Sequence, residues 1–219
     1  MLALGAGCAN PRTWAYTPEP PQHRFPVLDR TVTVAPAADH RERSNVDHAM
    51  VALVPFVLWG SQHLDRPEQV DLHIATSRWE IQPGEDIARA VAAELQSSGL
   101  FRAASYSTRL SDGDLELDVT IDRLHADGKI ITYGLSLAGA YLWLALPAMS
   151  ADSDLALDFD LRERAGGRSL WSGHFERHYE SGLCWIYSPP DEFMYASLLK
   201  DMLLQDVLPA LEQLPAERP

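Results

Sequence analysis

Residues 114–122 alternate strictly between apolar and polar. Leu115, Leu117, Val119 and Ile121 fall on one side, and Asp114, Glu116, Asp118, Thr120 and Asp122 on the other. A two-residue period is that of a strand with one buried and one wet face. Leu155, Leu157, Phe159 and Leu161 repeat the pattern against Asp154, Asp158, Asp160 and Arg162. After a turn at Ala165, Gly166 and Gly167, residues 169–179 return with Trp171, Phe175 and Tyr179 on one face, which predicts a hairpin. Residues 31–36 read as an earlier strand stopped by Pro36, and residues 102–108 as another.

The period changes to that of a helix after Pro83. Glu85 and Asp86 occupy a first turn where the macrodipole favours acids. Ile87, Val91 and Leu95 follow at four-residue spacing, and Gly99 is placed to end the helix in a left-handed cap. A second helix is predicted over residues 191–208, with Tyr195, Leu198, Leu199, Met202 and Val207 on its apolar side and Pro209 kinking or ending it. Residues 49–59 are apolar, broken by Pro55, and fit either a short helix or a buried turn. The sum is an α+β domain: a mostly antiparallel sheet with helices packed on one face.

Ahead of residue 31 the pattern disappears. Residues 9–30 hold Pro11, Pro18, Pro20, Pro21 and Pro26 without periodicity, which reads as an extended tether. The expected organisation is thus a leader remnant over residues 1–8, a tether over 9–30, one domain over 31–214 and a tail over 215–219. Composition narrows the function. Hydrophobic residues make up 46% of the 219-residue chain, as in a globular protein, and 31 acidic against 18 basic residues give a net charge of −13. Nucleic acid, which needs clustered Lys and Arg, is not an expected partner. Of the two cysteines, Cys184 sits in an apolar setting that suits an inert small hydrophobe. A disulfide to Cys8 is open to it unless Cys8 is otherwise engaged.

The opening Met-Leu-Ala-Leu-Gly-Ala-Gly-Cys, with small residues before Cys8 and Leu4 upstream, resembles the lipobox of bacterial lipoproteins. The resemblance implies that Cys8 carries diacylglycerol and becomes the acylated N-terminus, so that a membrane is the first partner. With Ala9 rather than aspartate after the cysteine, it implies the periplasmic face of the outer membrane. The apolar run before Cys8 is shorter than a full signal sequence, so either the natural start lies upstream or the leader is trimmed.

A second resemblance rests on the helix running from Asp86-Ile87-Ala88 to Ser97-Ser98-Gly99-Leu100-Phe101, followed by Asp114-Leu115-Glu116-Leu117 and by Leu170-Trp171 after a Gly-rich turn. This pattern is similar to the TolB N-terminal and CsgG-like fold of periplasmic lipoproteins and, more distantly, to the exopolysaccharide-export lipoprotein PelC. It implies a protein that binds an envelope partner or self-assembles, without catalytic residues.

Candidate chemistry is sparse. No charged residue lies between Lys129 and Asp152. Three readings stay open for that stretch: buried core, contact with a partner or membrane surface, or a transmembrane helix. Tyr133, Leu137, Tyr141, Trp143 and Leu144 are its contact candidates, with residues 51–59 the expected intramolecular cover. His174 and His178 share a strand face with Glu176, yet no cysteine completes a zinc set, so no metal is expected. Gly134-Leu135-Ser136-Leu137-Ala138 has Ala where a nucleophile elbow has its second Gly. No phosphate loop or dinucleotide fingerprint appears, so no cofactor is expected. The expectation is a non-enzymatic interaction or assembly component of an envelope export or transport system. A carrier of a small apolar ligand is the alternative, and a hydrolase a weaker one.

Overall fold

The computed structural model describes residues 12–21, 27–69, 79–108, 113–183 and 195–214. Among the described residues ten strands, numbered in chain order, run β1 (Arg12–Thr13), β2 (Leu28–Val34), β3 (Ala38–Asp39), β4 (Asn45–Asp47), β5 (Trp59–Leu64), β6 (Trp79–Glu80), β7 (Phe101–Tyr106), β8 (Leu115–Ile131), β9 (Met149–Glu163) and β10 (Ser169–Leu183). The α-helices are α1 (Pro83–Ser98), α2 (Tyr195–Met202) and α3 (Leu208–Glu212). Eight strands form one mixed sheet with the spine β10-β9-β8-β2-β7. β8, β9 and β10 are antiparallel, while β2 runs parallel to both β7 and β8. The fold is α+β, with α1 packed on β7 and β2, and α2 on β10 and β9.

The sheet keeps its apolar side chains on the helix side. Leu115, Leu117, Val119 and Ile121 join Leu155, Leu157, Phe159 and Leu161 in one core with Ile87, Val91, Leu95, Tyr195, Leu199 and Met202. Phe159, Trp171 and Phe175 pack ring to ring at 6.0–6.3 Å along its β10 edge. α1 ends at Gly99, whose φ of 72° is the left-handed cap.

The structure departs from the sequence reading in four ways. β8 does not stop at Asp122: an irregularity between Ile121 and Arg123 inserts one extra residue, and the inward positions shift from odd numbers to Leu124 and Ala126. Pro209 does not end the last helix. A π-helical turn, Leu203–Val207, precedes it, and Pro209 sits in the first turn of α3, where no intrahelical bond needs its N–H. The N-terminal segment is not wholly detached. Tyr16 donates to Glu94 at 2.7 Å, Lys200 pairs with Glu19, and Trp14 and Tyr16 lie against the core, so the extended chain over residues 14–21 is laid onto α1. Finally, residues 49–59 begin as the short helix that one of the two readings allows, a 3-10 helix at Ala49–Leu53, but run on into an irregular, mostly exposed loop. Cys8 and Cys184 lie outside the described residues.

Candidate docking lobe and polar face

Beyond Ile131 the charge-free stretch forms a loop built on a 3-10 helix, Ser136–Leu144, before β9 begins. None of the described helices is long and apolar enough to cross a membrane, which removes the transmembrane-helix reading for this loop. The buried-core reading also fails for most of it. Leu137 is 74% exposed, Tyr141 82% and Leu144 64%. Trp143 is partly buried, packing on Ala148, Met149 and Ala151 while its indole N–H donates to the Ile131 carbonyl at 2.7 Å. Tyr133 is half-buried and donates to the Pro147 carbonyl.

The loop over residues 49–58 does not cover this one; the two stand side by side as a single lobe. Thr132 donates its hydroxyl to the Ala52 carbonyl at 2.9 Å and its N–H to Leu58, and Phe56 N–H donates to Gly134. Ser136 donates to the Leu53 carbonyl, so its hydroxyl proton is engaged by backbone. Two glycines permit the close approach. A Cβ on Gly139 would lie 2.1 Å from the Thr132 carbonyl oxygen, and one on Gly60 equally close to that of Ala49. Several backbone N–H and C=O groups are thus bonded inside the lobe, and many of its apolar side chains are left exposed. Met50, Val54, Phe56, Leu58 and Trp59 are all at least half exposed, Phe56 at 93%. Neither loop carries an Asp, Glu, Lys or Arg over residues 49–62 and 130–151. Contiguous exposed apolar surface of this kind marks an interaction site.

The sheet face turned away from the helices is polar. His174 and His178 both lie on it but serve separate carboxylates, as four residues of strand separate them by about 13 Å. His174 Nδ1 lies 2.6 Å from Asp158 and Nε2 3.1 Å from Glu176; His178 Nδ1 lies 2.8 Å from Asp154. Hydrogen bonds to Glu176 and Asp158 raise the His174 pKa, and the bond to Asp154 raises that of His178. Burial, with the carboxyl shared with Asp158, holds Asp122 above the usual carboxylate range. Asp122, Asp158 and His174 place ligand-type atoms within 4.8 Å of one another.

The sequence reading missed a second set, His63, Asp65 and His125, which also converges within 4.8 Å. The signal was present in the repeated His-x-Asp of residues 63–65 and 125–127, but β5 was not foreseen as a strand. Below this set, the buried Arg41 guanidinium bonds Asp39, Glu68 and the Asp65 carbonyl. Those carboxylates hold its pKa above the ordinary arginine value although burial opposes them.

These features define an open-sheet α+β protein that carries a protruding apolar lobe. No family model matches the chain, and no curated protein matches it in sequence. Among solved structures it is similar to a Xanthomonas campestris protein of the DUF330 family, at 15% identity and a TM-score of 0.50, over 92% of this chain and 93% of that one. It is also similar to the PelC dodecamer protein of Paraburkholderia phytofirmans, at 13% identity and a TM-score of 0.39, over 85% and 90% of the two chains. The first is a likeness of fold; the second is too distant to add to it.

Proposed function

We propose that this chain is a lipid-anchored, non-enzymatic component of the bacterial cell envelope. It is held by Cys8 at the periplasmic face of the outer membrane and serves an export or transport assembly by docking rather than by chemistry. The observation that carries this reading is the lobe: a charge-free apolar surface presented by two loops whose backbone is bonded inward. A carrier of an apolar ligand needs an enclosed apolar cavity. The lobe's apolar side chains face solvent, and three clefts among the described residues are lined in part by charged side chains: Arg102 and Glu163 in one, Asp118 and Arg162 in another, Arg41 and Asp65 in the third.

The test expresses the protein behind an intact lipoprotein signal. The wild type should incorporate labelled palmitate and fractionate with the outer membrane. Cys8→Ser should lose the label. Leu137→Asp combined with Tyr141→Asp should keep the label yet no longer co-purify with envelope partners. Label retained by Cys8→Ser, or co-purification unaffected by the lobe substitutions, overturns the reading.

A further inference from the structure

β5 and β8 pair antiparallel with His63 opposite Asp127. Continuing that register by two residues sets Asp65 opposite His125. Two His-x-Asp segments therefore run head to tail, each histidine facing the other strand's aspartate. All four side chains share the polar face, because Leu64, Leu124 and Ala126 between them point into the core. His63 Nδ1 lies 2.8 Å from Asp127 Oδ1, and His125 Nε2 lies 3.2 Å from the same oxygen. His125 Nδ1 lies 3.1 Å from Asp65 Oδ1, and the two rings stand 4.3 Å apart.

The proton count at His125 matters. A neutral imidazole has one N–H and one lone pair. Both ring nitrogens of His125 meet carboxylate oxygens, so one contact sets acceptor against acceptor unless a cation is added. At His174, whose ring also meets two carboxylates, the side chain is half exposed and open to solvent. The His125 side chain is only 9% exposed. A metal ion held between these groups would resolve that conflict. Two imidazoles and a carboxylate with atoms already within 4.8 Å suit zinc, whose tetrahedral ligands stand about 3.3 Å apart. Small side-chain rotations close the difference. Asp127 touches both histidines, as the carboxylate behind a metal-bound imidazole does. Arg41 fixes Asp65 through its carbonyl, and a cleft of about 360 Å³ lined by His63, Asp65 and His125 gives an ion access.

We propose that His63, Asp65 and His125 bind one divalent transition-metal ion, zinc by ligand chemistry, with Asp127 positioning the imidazoles. The ion clips β5 to β8 four residues below Trp59, about 13 Å along the strand from the lobe.

The test uses the full chain without a histidine tag, stripped with chelator. Zinc chloride is titrated by calorimetry, and cobalt(II) by visible absorption. One ion per chain is expected. His63→Ala and Asp65→Asn should each weaken binding by about tenfold or more while keeping the fold, and His174→Ala should bind as the wild type. In the intact wild type, zinc should shift the imidazole NMR signals of His63 and His125 and leave those of His174 and His178 in place, a readout independent of any variant. Failure of the wild type to bind zinc or cobalt overturns the proposal. So does wild-type affinity in both site variants, or loss of binding in His174→Ala. A doubly protonated His125 whose signals zinc does not move identifies the cation as a proton and overturns it as well.

Discussion

Replacing Leu137, Tyr141 and Leu144 together with aspartate separates a lobe that docks from one that packs. The three side chains are 74%, 82% and 64% exposed, so together they bury less than one complete large side chain. Full burial of one such side chain contributes about 1.5–3 kcal/mol, so the triple variant should lose about 1–2 kcal/mol. For a domain of this size that is a fall in Tm of about 2–8 °C. Leu117→Asp is the comparison. Leu117 is fully buried in the central strand, and truncation there alone removes about 2–4 kcal/mol before the added cost of a buried charge. Urea unfolding followed by tryptophan fluorescence, with thermal melts by circular dichroism, reads both variants. The triple variant should unfold cooperatively near the wild-type midpoint, whereas Leu117→Asp should be unfolded or nearly so. A triple variant that loses more than about 4 kcal/mol would refute the reasoning, because the lobe would then be part of the domain's own core.

Leu117→Ala and Val119→Ala should each cost about 2–4 kcal/mol in urea unfolding, while Glu116→Gln, on the opposite face, should cost under about 0.5 kcal/mol; equal effects would mean the register is wrong. His174 and His178 should titrate above the ordinary histidine pKa of about 6.5 by NMR. Because the folded values are raised, the stability these pairs contribute is fully present below the unfolded pKa and is lost as pH rises through the folded values. Asp158→Asn and Asp154→Asn should lower the respective midpoints, and unchanged midpoints would show that the pairs do not form in solution.

The elements legible in the sequence are those whose signal is local. Leu115 to Ile121 and Leu155 to Leu161 alternate because a single sheet face is buried, and Gly99 marks the end of α1 because the cap needs a left-handed residue. The alternation was readable only as far as Asp122 because the extra residue there reverses the phase. Parallel pairing of Val32 with Leu115 leaves no mark in either segment, since it depends on α1 carrying the chain back across the sheet. The charge-free stretch kept three readings open because exposure is a tertiary property. Leu137 is outside while Ala148 packs with Met149, Ala151 and Trp143, and nothing local to either residue distinguishes them. His63 and His125 lie 62 positions apart, and only the register of β5 on β8 brings their rings to 4.3 Å.

The position of the chain's entry bears on what the lobe meets. Ala37 N–H donates to the Gly84 carbonyl, so the start of α1 lies at the C-terminal end of β2. β2 runs parallel to β8, and β8 runs from Leu115 toward the lobe. The start of α1 therefore sits near the level of Val119 on β8, about twelve residues, or roughly 40 Å, short of the lobe along that strand. β1 pairs with β6 just before α1, which brings Arg12 near that same level. Cys8 precedes Arg12 by four residues, at most about 14 Å of extended chain. The lipid proposed for Cys8 would tether the domain to the bilayer through this segment. On that proposal the anchor would confine the domain to the membrane where its partner sits, raising the effective concentration of the pair, so a modest apolar lobe would suffice to dock. The net charge of −13 keeps the rest of the domain from anionic headgroups, and the lobe is the part without charge. A photoreactive phenylalanine analogue in place of Tyr141 should thus crosslink to an envelope protein in the anchored form, and far less when Cys8→Ser removes the anchor. Crosslinks that go to lipid alone would refute docking on a partner and show that the lobe rests on the bilayer.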